Sequence, residues 1–258
     1  MTIDWSGTAN DYARHRAGFP DAFYERLASY GIVSQGARPR RTLDLGTGTG
    51  ALARGLARRG WRVAGVDISA DMLQAARQLD AAAGVEIDHV VAGAEATGQP
   101  DRSFDLVTAA TCWHWFDRAK AAGEARRVLV DEGWLVICAM DWSEESGNII
   151  EATTTLIAQH NPVWLDSGGS GLQFAWADEL PAAGLTVVDR FRFNAAIPYS
   201  HAAWRGRVRA SAGIGASLPP DAVAAFDRAH AALLQERFPG DPLQVPHRIS
   251  AILARRMA

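Results

Sequence analysis

A glycine-dense turn, placed between an apolar run and a helical repeat, constrains the fold of this chain more than any other feature. The run that starts at Thr42 reaches Asp44, glycine then stands at positions 46, 48 and 50, and Ala, Leu and Arg recur at helical spacing as far as Gly60. We therefore predict a strand, a tight turn and a helix. The three glycines allow positive φ angles and let a ligand lie against bare backbone. The amides at the start of the helix favour an anionic group, such as a carboxylate or a phosphate.

A second acidic residue stands at a suitable distance from this turn. The run from Trp61 reads as the next strand, and Asp67 lies at its end, where it is spaced to hydrogen-bond a ribose diol. The pattern therefore predicts a nucleoside ligand. Gly46, Gly48 and Ala51 also fit the dinucleotide fingerprint, so the turn and Asp67 alone permit a nicotinamide-dependent oxidoreductase.

The composition limits the classes of protein to which the chain can belong. Its 258 residues are 48% hydrophobic, which suits one large α/β domain or one domain with an inserted cap. The net charge is −3, so we expect no nucleic-acid partner. Neither of the basic runs at 38–41 and 205–209 sits among like-charged neighbours, so we read each as a solvated face, with a phosphate site as the alternative. Cys112 and Cys138 stand in apolar strand-like runs, which suits reduced thiols in a cytoplasmic protein. We see no leader-like start and no apolar run long enough to span a bilayer, so no membrane partner is expected.

Strand and helix patterns alternate along the chain. Two helices are predicted within 5–31, on either side of the Gly-Phe-Pro at 18–20. After Asp67, Ser69 is a suitable N-cap for a helix that Gly84 ends. The further predicted elements are strands at 85–91, 104–110 and 134–140, a helix that ends at 130, a turn at 131–133, a helix at 149–160, a strand at 185–193, a helix at 219–238 and a last strand at 245–253. This alternation predicts an α/β fold.

Six motifs stand in order in the first half of the chain. They are LDLGTGTG at 43–50, GVDIS at 65–69 followed by Met72, AE at 94–95, SFDLV at 103–107, HWF at 114–116 and RVLVDEGWL at 127–135. Together they resemble the class I S-adenosylmethionine-dependent methyltransferases, in the small-molecule branch (methyltransferase type 11) that includes the ubiquinone/menaquinone C-methyltransferase type. The resemblance covers residues 10–140. It implies a doubly wound, mostly parallel seven-stranded sheet of Rossmann-like form, with an antiparallel last strand and a helical cap.

The same resemblance implies a domain organisation. The chain would be a single methyltransferase domain over 1–258, with an N-terminal helical lid at 1–35 and a cofactor-binding half at 36–141. Substrate-cap segments would follow at 142–184 and 200–240.

The resemblance also implies which residues hold the polar part of S-adenosyl-L-methionine. Gly46, Thr47 and Gly48 would cradle its methionine portion, with Asp44 near the ammonium group. Asp67 would take the ribose hydroxyls.

The adenine and the sulfonium have implied neighbours as well. Ile68 and Met72 would sandwich the adenine, and Ala94 with Glu95 would read its edge. Thr111 would border the sulfonium. Relatives often carry an aspartate directly before the Ala-Glu pair, a position that is glycine in this chain.

A tyrosine and an arginine near the N-terminus fit the lid. Tyr12 and Arg16 are four residues apart, on one face of a predicted helix. Their stretch looks like the family's N-terminal signature, in which the helix folds over the cofactor, so we predict that both residues contact it. The alternative is a packed aromatic beside an exposed cation.

Tryptophans after the fourth strand indicate the substrate. Flat or apolar molecules stack well on such side chains, although core packing is the alternative for each of them. We predict substrate contacts for Trp113, Trp115, Trp142 and His201. His114 is the first candidate for a general base because it follows the fourth strand, at the carboxyl end where α/β sheets bind ligands. Weaker candidates are His160, His201 and Asp141.

Three classes of function stay open at this stage. The first is a methyltransferase that acts on a small, planar or apolar molecule by direct in-line transfer. The second is a non-catalytic S-adenosylmethionine-binding protein, and the third is the nicotinamide-dependent oxidoreductase. No Cys/His cluster has metal-ligand spacing, so we expect no metal.

Overall fold

The structure of the chain is a computed structural model. It describes residues 15, 17–32, 40–163 and 172–257. Tyr12 and Arg16 lie outside the described residues, so their contact with a cofactor stays a prediction.

Helices and strands alternate throughout the described residues. The helices are α1 (Asp21–Ser29), α2 (Ala51–Ala57), α3 (Ala70–Ala83), α4 (Arg118–Val128), α5 (Ile149–His160), α6 (His201–Arg209) and α7 (Pro220–Arg237). The strands are β1 (Arg41–Leu45), β2 (Arg62–Asp67), β3 (Ile87–Val91), β4 (Phe104–Ala110), β5 (Leu129–Trp142), β6 (Leu185–Tyr199) and β7 (Leu243–Arg256). Two 3₁₀ segments add Trp113–Trp115 and Phe174–Ala183.

All seven strands belong to one sheet, in the order β3-β2-β1-β4-β5-β7-β6. β1 pairs in parallel with β2 and β4, β2 pairs in parallel with β3, and β4 with β5. The last strands are antiparallel, and β7 lies between β5 and β6. The predicted fold class is therefore confirmed. Because the strand order reverses between β1 and β4, the carboxyl ends of these two strands border a crevice of the kind in which open α/β sheets bind ligands.

The ends of α3 follow from its sequence. The Ser69 side chain accepts a hydrogen bond from the Met72 amide at 3.3 Å and satisfies one of the free donors at the start of the helix. Gly84 adopts a left-handed conformation with φ of 66° and ends the helix. Both predictions for this helix are confirmed.

The start of β5 differs from the prediction. The strand begins at Leu129 instead of residue 134, and α4 ends at Val128. Phe104 pairs with Leu129 but Leu106 pairs with Trp134, so the residues between them form a bulge in β5. Glu132 has a φ of 63°, which fits the predicted turn at 131–133. The turn is therefore an irregularity inside a strand that continues past it.

The described residues form two compact units, and the chain passes between them within β5, β6 and β7. The larger unit contains residues 18–32, 40–140, 172–193 and 249–257, and the smaller unit contains residues 15, 17, 141–163 and 194–248. The assignment of 142–184 and 200–240 to a substrate cap stays a prediction.

The larger unit has its core on both faces of the central strands. Val107 of β4 and Ile137 of β5 are fully buried on one face, and Leu106 of β4 and Val136 of β5 are fully buried on the other. The 3₁₀ segment Phe174–Ala183, which the sequence pattern did not predict, packs on α4 in this unit through a bidentate ion pair between Arg118 and Glu179 at 2.7 and 2.9 Å. Central strands that are buried on both faces provide a rigid base for the turns at their ends.

The smaller unit is built on α5, α6 and α7. Trp204, Phe226 and Leu234 are fully buried in it. The Thr153 hydroxyl of α5 accepts a hydrogen bond from Trp204 Nε1 at 3.4 Å and lies 3.4 Å from His230 Nε2. The predicted helices at 149–160 and 219–238 are confirmed as α5 and α7, whereas α6 was not predicted.

Candidate functional site

The glycine turn lies at the carboxyl end of β1, in the larger unit. Gly46, Gly48 and Gly50 have φ angles of 57°, 55° and 77°, a region that side chains with a Cβ rarely adopt. A Cβ on Gly46 would lie 3.0 Å from both Cys112 Sγ and Phe116 Cζ, so this glycine is required for packing against the segment after β4. A Cβ on Gly48 would meet nothing within 4 Å. The backbone at Gly48 therefore faces open space, as a surface for a close-lying ligand must.

Asp44 links the glycine turn to β4, the neighbouring strand in the sheet. Its carboxylate is 1% exposed and accepts hydrogen bonds from the Thr47 hydroxyl at 2.7 Å and from the Thr108 hydroxyl at 2.5 Å. Burial raises the pKa of Asp44 to about 6, although the two hydroxyls oppose this shift. The described contacts of Asp44 are thus two threonines, and its place near an ammonium group stays a prediction.

Asp67 lies at the carboxyl end of β2, beside the turn. Its Oδ2 accepts from the Gly48 amide and its Oδ1 from the Ser69 amide, each at 2.9 Å. An ionised carboxylate can accept about four hydrogen bonds, so each oxygen keeps capacity for one more donor. The side chain is only partly buried. This geometry suits a pair of vicinal hydroxyls.

The residues predicted around an adenine have different exposures. Ile68 is 80% exposed, which is unusual for a large apolar side chain and suits stacking against a flat ring. Met72 is partly buried and Ala94 is buried. Glu95 Oε1 accepts a hydrogen bond from the Asp117 amide at 2.9 Å, which fixes the carboxylate at the start of α4. Their roles toward a ligand stay predictions.

The segment after β4 has a strained backbone. Thr111 has a φ of 59°, and a β-branched residue in this region is an outlier. Its Oγ1 is buried and has no hydrogen-bond partner among the described residues. The neighbouring Cys112 donates from Sγ to the Leu45 carbonyl at 3.2 Å, which ties this segment to the end of β1. Strain of this kind concentrates at functional sites.

The two tryptophans of the 3₁₀ segment Trp113–Trp115 lie in opposite environments. Trp113 is 1% exposed and packs in the core, with its ring 5.8 Å from that of Phe116, so the structure does not bring it to a surface. Trp115 is 71% exposed. The His114 ring lies 4.7 Å from the Trp115 ring, and desolvation lowers the pKa of His114, which favours the neutral imidazole that can accept a proton.

The other predicted site residues belong to the smaller unit. The Trp142 ring lies 5.1 Å from the Trp204 ring, and His201 Nε2 lies 3.0 Å from the Gly240 carbonyl oxygen. His160 makes an edge contact with Phe226 at 5.5 Å, which is a packing role.

Some contributors to the site could not be found by sequence reasoning. Thr108 and Phe116 contact Asp44 and Gly46 from strands and loops more than 60 positions away. The sequence predicted the strand that carries Thr108 and the motif that ends at Phe116, but not these contacts across the fold. Among the ranges that the structure describes, no group of three or more His, Cys, Asp or Glu could hold a metal ion, and no helix is long and apolar enough to cross a membrane.

The central segment matches a known family. Residues 43–137 match the model of the methyltransferase domain. An uncharacterized methyltransferase of Mycobacterium tuberculosis is 33% identical over 156 residues, which are 58% of this chain and 60% of that protein. The demethylmenaquinone methyltransferase of Thermus thermophilus is 45% identical over 102 residues, 38% of this chain and 46% of that protein. The chain thus spans about 60% or less of the length of these relatives.

Solved structures share the fold over most of the chain. The 4+2 cyclase SpnF aligns with a TM-score of 0.56 at 20% identity, and the alignment covers 95% of this chain and 84% of the cyclase chain. A phosphoethanolamine N-methyltransferase of Haemonchus contortus, in complex with S-adenosylhomocysteine, has a TM-score of 0.54 at 19% identity and covers 97% of this chain and 56% of its own. The match to the methyltransferase domain over residues 43–137 agrees with the resemblance read from the motifs, and the solved structures share the fold.

Proposed function

We propose that this chain, whose residues 43–137 form a methyltransferase domain, transfers a methyl group from S-adenosylmethionine to a small, planar or apolar acceptor. The observation that carries the proposal is the pairing of Gly48 with Asp67. Gly48 presents backbone to open space, and the carboxylate of Asp67 holds the Gly48 amide while keeping acceptor capacity for a diol.

The described residues fit this cofactor. Gly48 leaves room for the methionine portion, Asp67 can accept the two ribose hydroxyls, and Ile68 offers an exposed apolar face to the adenine. Once bound, the cofactor supplies a methyl group already activated on a positively charged sulfur. The protein then has to align the acceptor with that group, and orientation of this kind can contribute roughly 7–11 kcal/mol to lowering a barrier.

His114 is the residue that we propose as general base. Desolvation lowers the pKa of its imidazole, and it stands in the segment that follows β4, two residues beyond Cys112. For an acceptor that must lose a proton, a positioned base contributes on the order of 10²–10⁴ in rate. The exposed ring of Trp115 beside it suits a flat acceptor.

The names of two relatives support methyl transfer as the reaction. They are the demethylmenaquinone methyltransferase of Thermus thermophilus and the malonyl-acyl-carrier-protein O-methyltransferase of Geobacter sulfurreducens, the latter 41% identical over 116 residues. Cys112 and Cys138, the two cysteines of the chain, are both buried thiols, which supports a cytoplasmic location.

The test is a titration of Asp67→Asn with S-adenosylhomocysteine, the demethylated product, which binds without reacting. Losing a charge-assisted hydrogen bond costs roughly 1.5–3 kcal/mol, so we expect binding about 10- to 150-fold weaker than in the wild type. Asp71→Asn is the matched control, because it makes the same change of charge on an exposed residue in the first turn of α3. Equal affinity in the two variants would refute the role of Asp67.

A second candidate is a protein that uses the cofactor site without methyl transfer. This candidate is favoured by the cyclase SpnF, which shares the fold of this chain and is named for a reaction other than methyl transfer. The two candidates differ in one readout. A methyltransferase releases S-adenosylhomocysteine when incubated with S-adenosylmethionine and a panel of planar acceptors, whereas the alternative binds the cofactor and releases none.

A further inference from the structure

Three arginines alternate along α6, and the outer two share one acid. Arg205 Nε lies 3.0 Å from Asp227 Oδ1, and Arg209 Nη1 lies 2.7 Å from the same oxygen. Burial would raise the pKa of Asp227, but the hydrogen bonds from the two arginines hold it below its usual value. The interpretation of 205–209 as a solvated basic face is therefore wrong for these two residues, which join α6 to α7.

The middle arginine has no such acid. Arg207 is two residues from each of the others, so it points to a different side of α6. Its guanidinium carbon lies 5.3 Å from the centre of the Trp142 ring, and no carboxylate of the described residues forms an ion pair with it. The side chain is partly buried, and burial lowers the pKa of Arg207. An arginine in this position retains a charge that the described protein does not neutralise.

The Trp142 ring on which Arg207 lies is the first of a series of packed rings. The Trp142 and Trp204 rings are 5.1 Å apart, and Tyr199 lies 5.4 Å from Trp204 and 6.0 Å from His247, on which it stacks. We call these four residues and Arg207 the Arg207 cluster. All five belong to the smaller unit. Burial lowers the pKa of His247 to about 4, so its ring is neutral at pH 7.

A second donor in the cluster lacks an acceptor. The Nε1–H of Trp142 is buried and has no hydrogen-bond partner among the described residues. Leaving a buried donor unpaired is unfavourable, as is leaving an arginine partly buried without an acid. Both costs are removed by one kind of ligand, an oxyanion that accepts hydrogen bonds from both groups.

We propose that the Arg207 cluster binds a planar or aromatic ligand that carries an oxyanion, either a carboxylate or a phosphate monoester. The planar guanidinium of Arg207 matches both groups with two parallel hydrogen bonds. The Trp142 ring, which is only partly buried, provides the apolar contact for the flat part of the ligand, and the buried rings of Trp204 and Tyr199 support it from behind. Identifying this ligand with the methyl acceptor rests on the proposed function, whereas the binding itself does not.

The experiment uses three probes that share a phenyl ring and differ in the charge of the group attached to it. Benzoate, phenyl phosphate and neutral benzyl alcohol are titrated calorimetrically into the full chain and into Arg207→Gln. We expect one or both anions to bind the wild type at least tenfold more tightly than benzyl alcohol does, and the variant to lose that preference. The preferred anion distinguishes a carboxylate ligand from a phosphate ligand.

Matched variants separate binding from folding. Arg205→Gln removes a charge two residues away on the same helix and should keep the preference for the anion. Trp142→Phe keeps a ring but removes the N–H, and we expect the anion to bind several-fold more weakly. Because Arg207 is unneutralised, the unfolding temperature of ligand-free Arg207→Gln should equal or exceed that of the wild type.

Several outcomes would overturn the proposal. They are anions that bind no better than benzyl alcohol, an equal loss of preference in Arg205→Gln and Arg207→Gln, and a variant Arg207→Gln that is less stable but binds anions normally. A parallel titration with S-adenosylhomocysteine reports on the proposed function. If that titration fails while the anions bind through Arg207, the methyltransferase proposal falls and the anion site stands.

Discussion

Substituting Gly48 by alanine separates ligand contact from folding. Both Gly48 and Gly84 have left-handed backbones, with φ angles of 55° and 66°, and an added Cβ meets nothing within 4 Å at either position. A Cβ in this conformation costs roughly 1–2 kcal/mol, so Gly48→Ala and Gly84→Ala should lower the free energy of unfolding by similar amounts. They should differ only in what the new methyl group blocks.

The blocked surface is the one that we assign to the cofactor. At Gly48 the methyl group would occupy space that the ligand needs for contact with the backbone, so we expect S-adenosylhomocysteine to bind at least tenfold more weakly, a loss of about 1.4 kcal/mol. At Gly84, which ends α3, binding should not change. Urea unfolding gives the stability of each variant, and isothermal titration calorimetry gives its affinity.

Gly46 provides the opposite contrast in the same turn. A Cβ there would lie 3.0 Å from Cys112 Sγ and Phe116 Cζ, so Gly46→Ala adds overpacking, typically about 1–3 kcal/mol, to the backbone strain. It should therefore be less stable than Gly48→Ala. The reasoning is refuted if Gly48→Ala binds S-adenosylhomocysteine as tightly as the wild type does, or if Gly84→Ala loses as much affinity.

Three further predictions concern stability and pH. Glu124 accepts hydrogen bonds from Thr97 and Arg127, and those from Arg127 contribute most to lowering its pKa to about 2. Glu124→Gln should therefore lower the free energy of unfolding at pH 7 by about 3 kcal/mol. This loss should disappear as the pH falls from 4.5 toward 2, because the wild-type carboxylate then becomes protonated. A loss of stability in urea unfolding that does not change with pH would contradict this prediction. Burial raises the pKa of Asp44 from 3.8 to about 6, so the folded state binds the proton more tightly and stability falls as the pH rises from about 4 to 6. Asp44→Asn should remove that slope and raise the free energy of unfolding at pH 7.5 by as much as about 3 kcal/mol, and an unchanged slope would count against the buried carboxylate. Burial lowers the pKa of His230 and His247 from 6.5 to about 4, so the stability that their neutral forms support is lost as the pH falls from 6.5 toward 4. Hydrogen exchange at pH 5 should show α7 opening more readily than at pH 7 while β1 and β4 stay protected, and opening of β1 and β4 first would contradict this.

Elements with local signals could be predicted from the sequence. α3 lies between a serine cap at Ser69 and a left-handed Gly84, both of which act within one turn of the helix. α5 begins after Asn148, whose side chain accepts from the amides of Ile150 and Glu151. Such signals depend on neighbours in the chain, so a single sequence contains them.

Features that depend on distant partners could not be predicted. The bulge in β5 follows from its register with Phe104 on β4. The role of Arg205 depends on Asp227, 22 positions away on another helix, and the same arginine pattern leaves Arg207 beside aromatic rings. Trp113 and Trp115 have nearly identical sequence surroundings, yet they are 1% and 71% exposed because a short 3₁₀ turn directs them to opposite sides.

The central claim is that the glycine turn and Asp67 bind S-adenosylmethionine rather than a nicotinamide dinucleotide. The most direct measurement is a pair of calorimetric titrations of the unmodified chain, one with S-adenosylhomocysteine and one with NAD. We predict saturable binding of one S-adenosylhomocysteine per chain and no heat with NAD. A well-folded chain that gives no heat with S-adenosylhomocysteine, or that binds NAD in its place, would contradict the account.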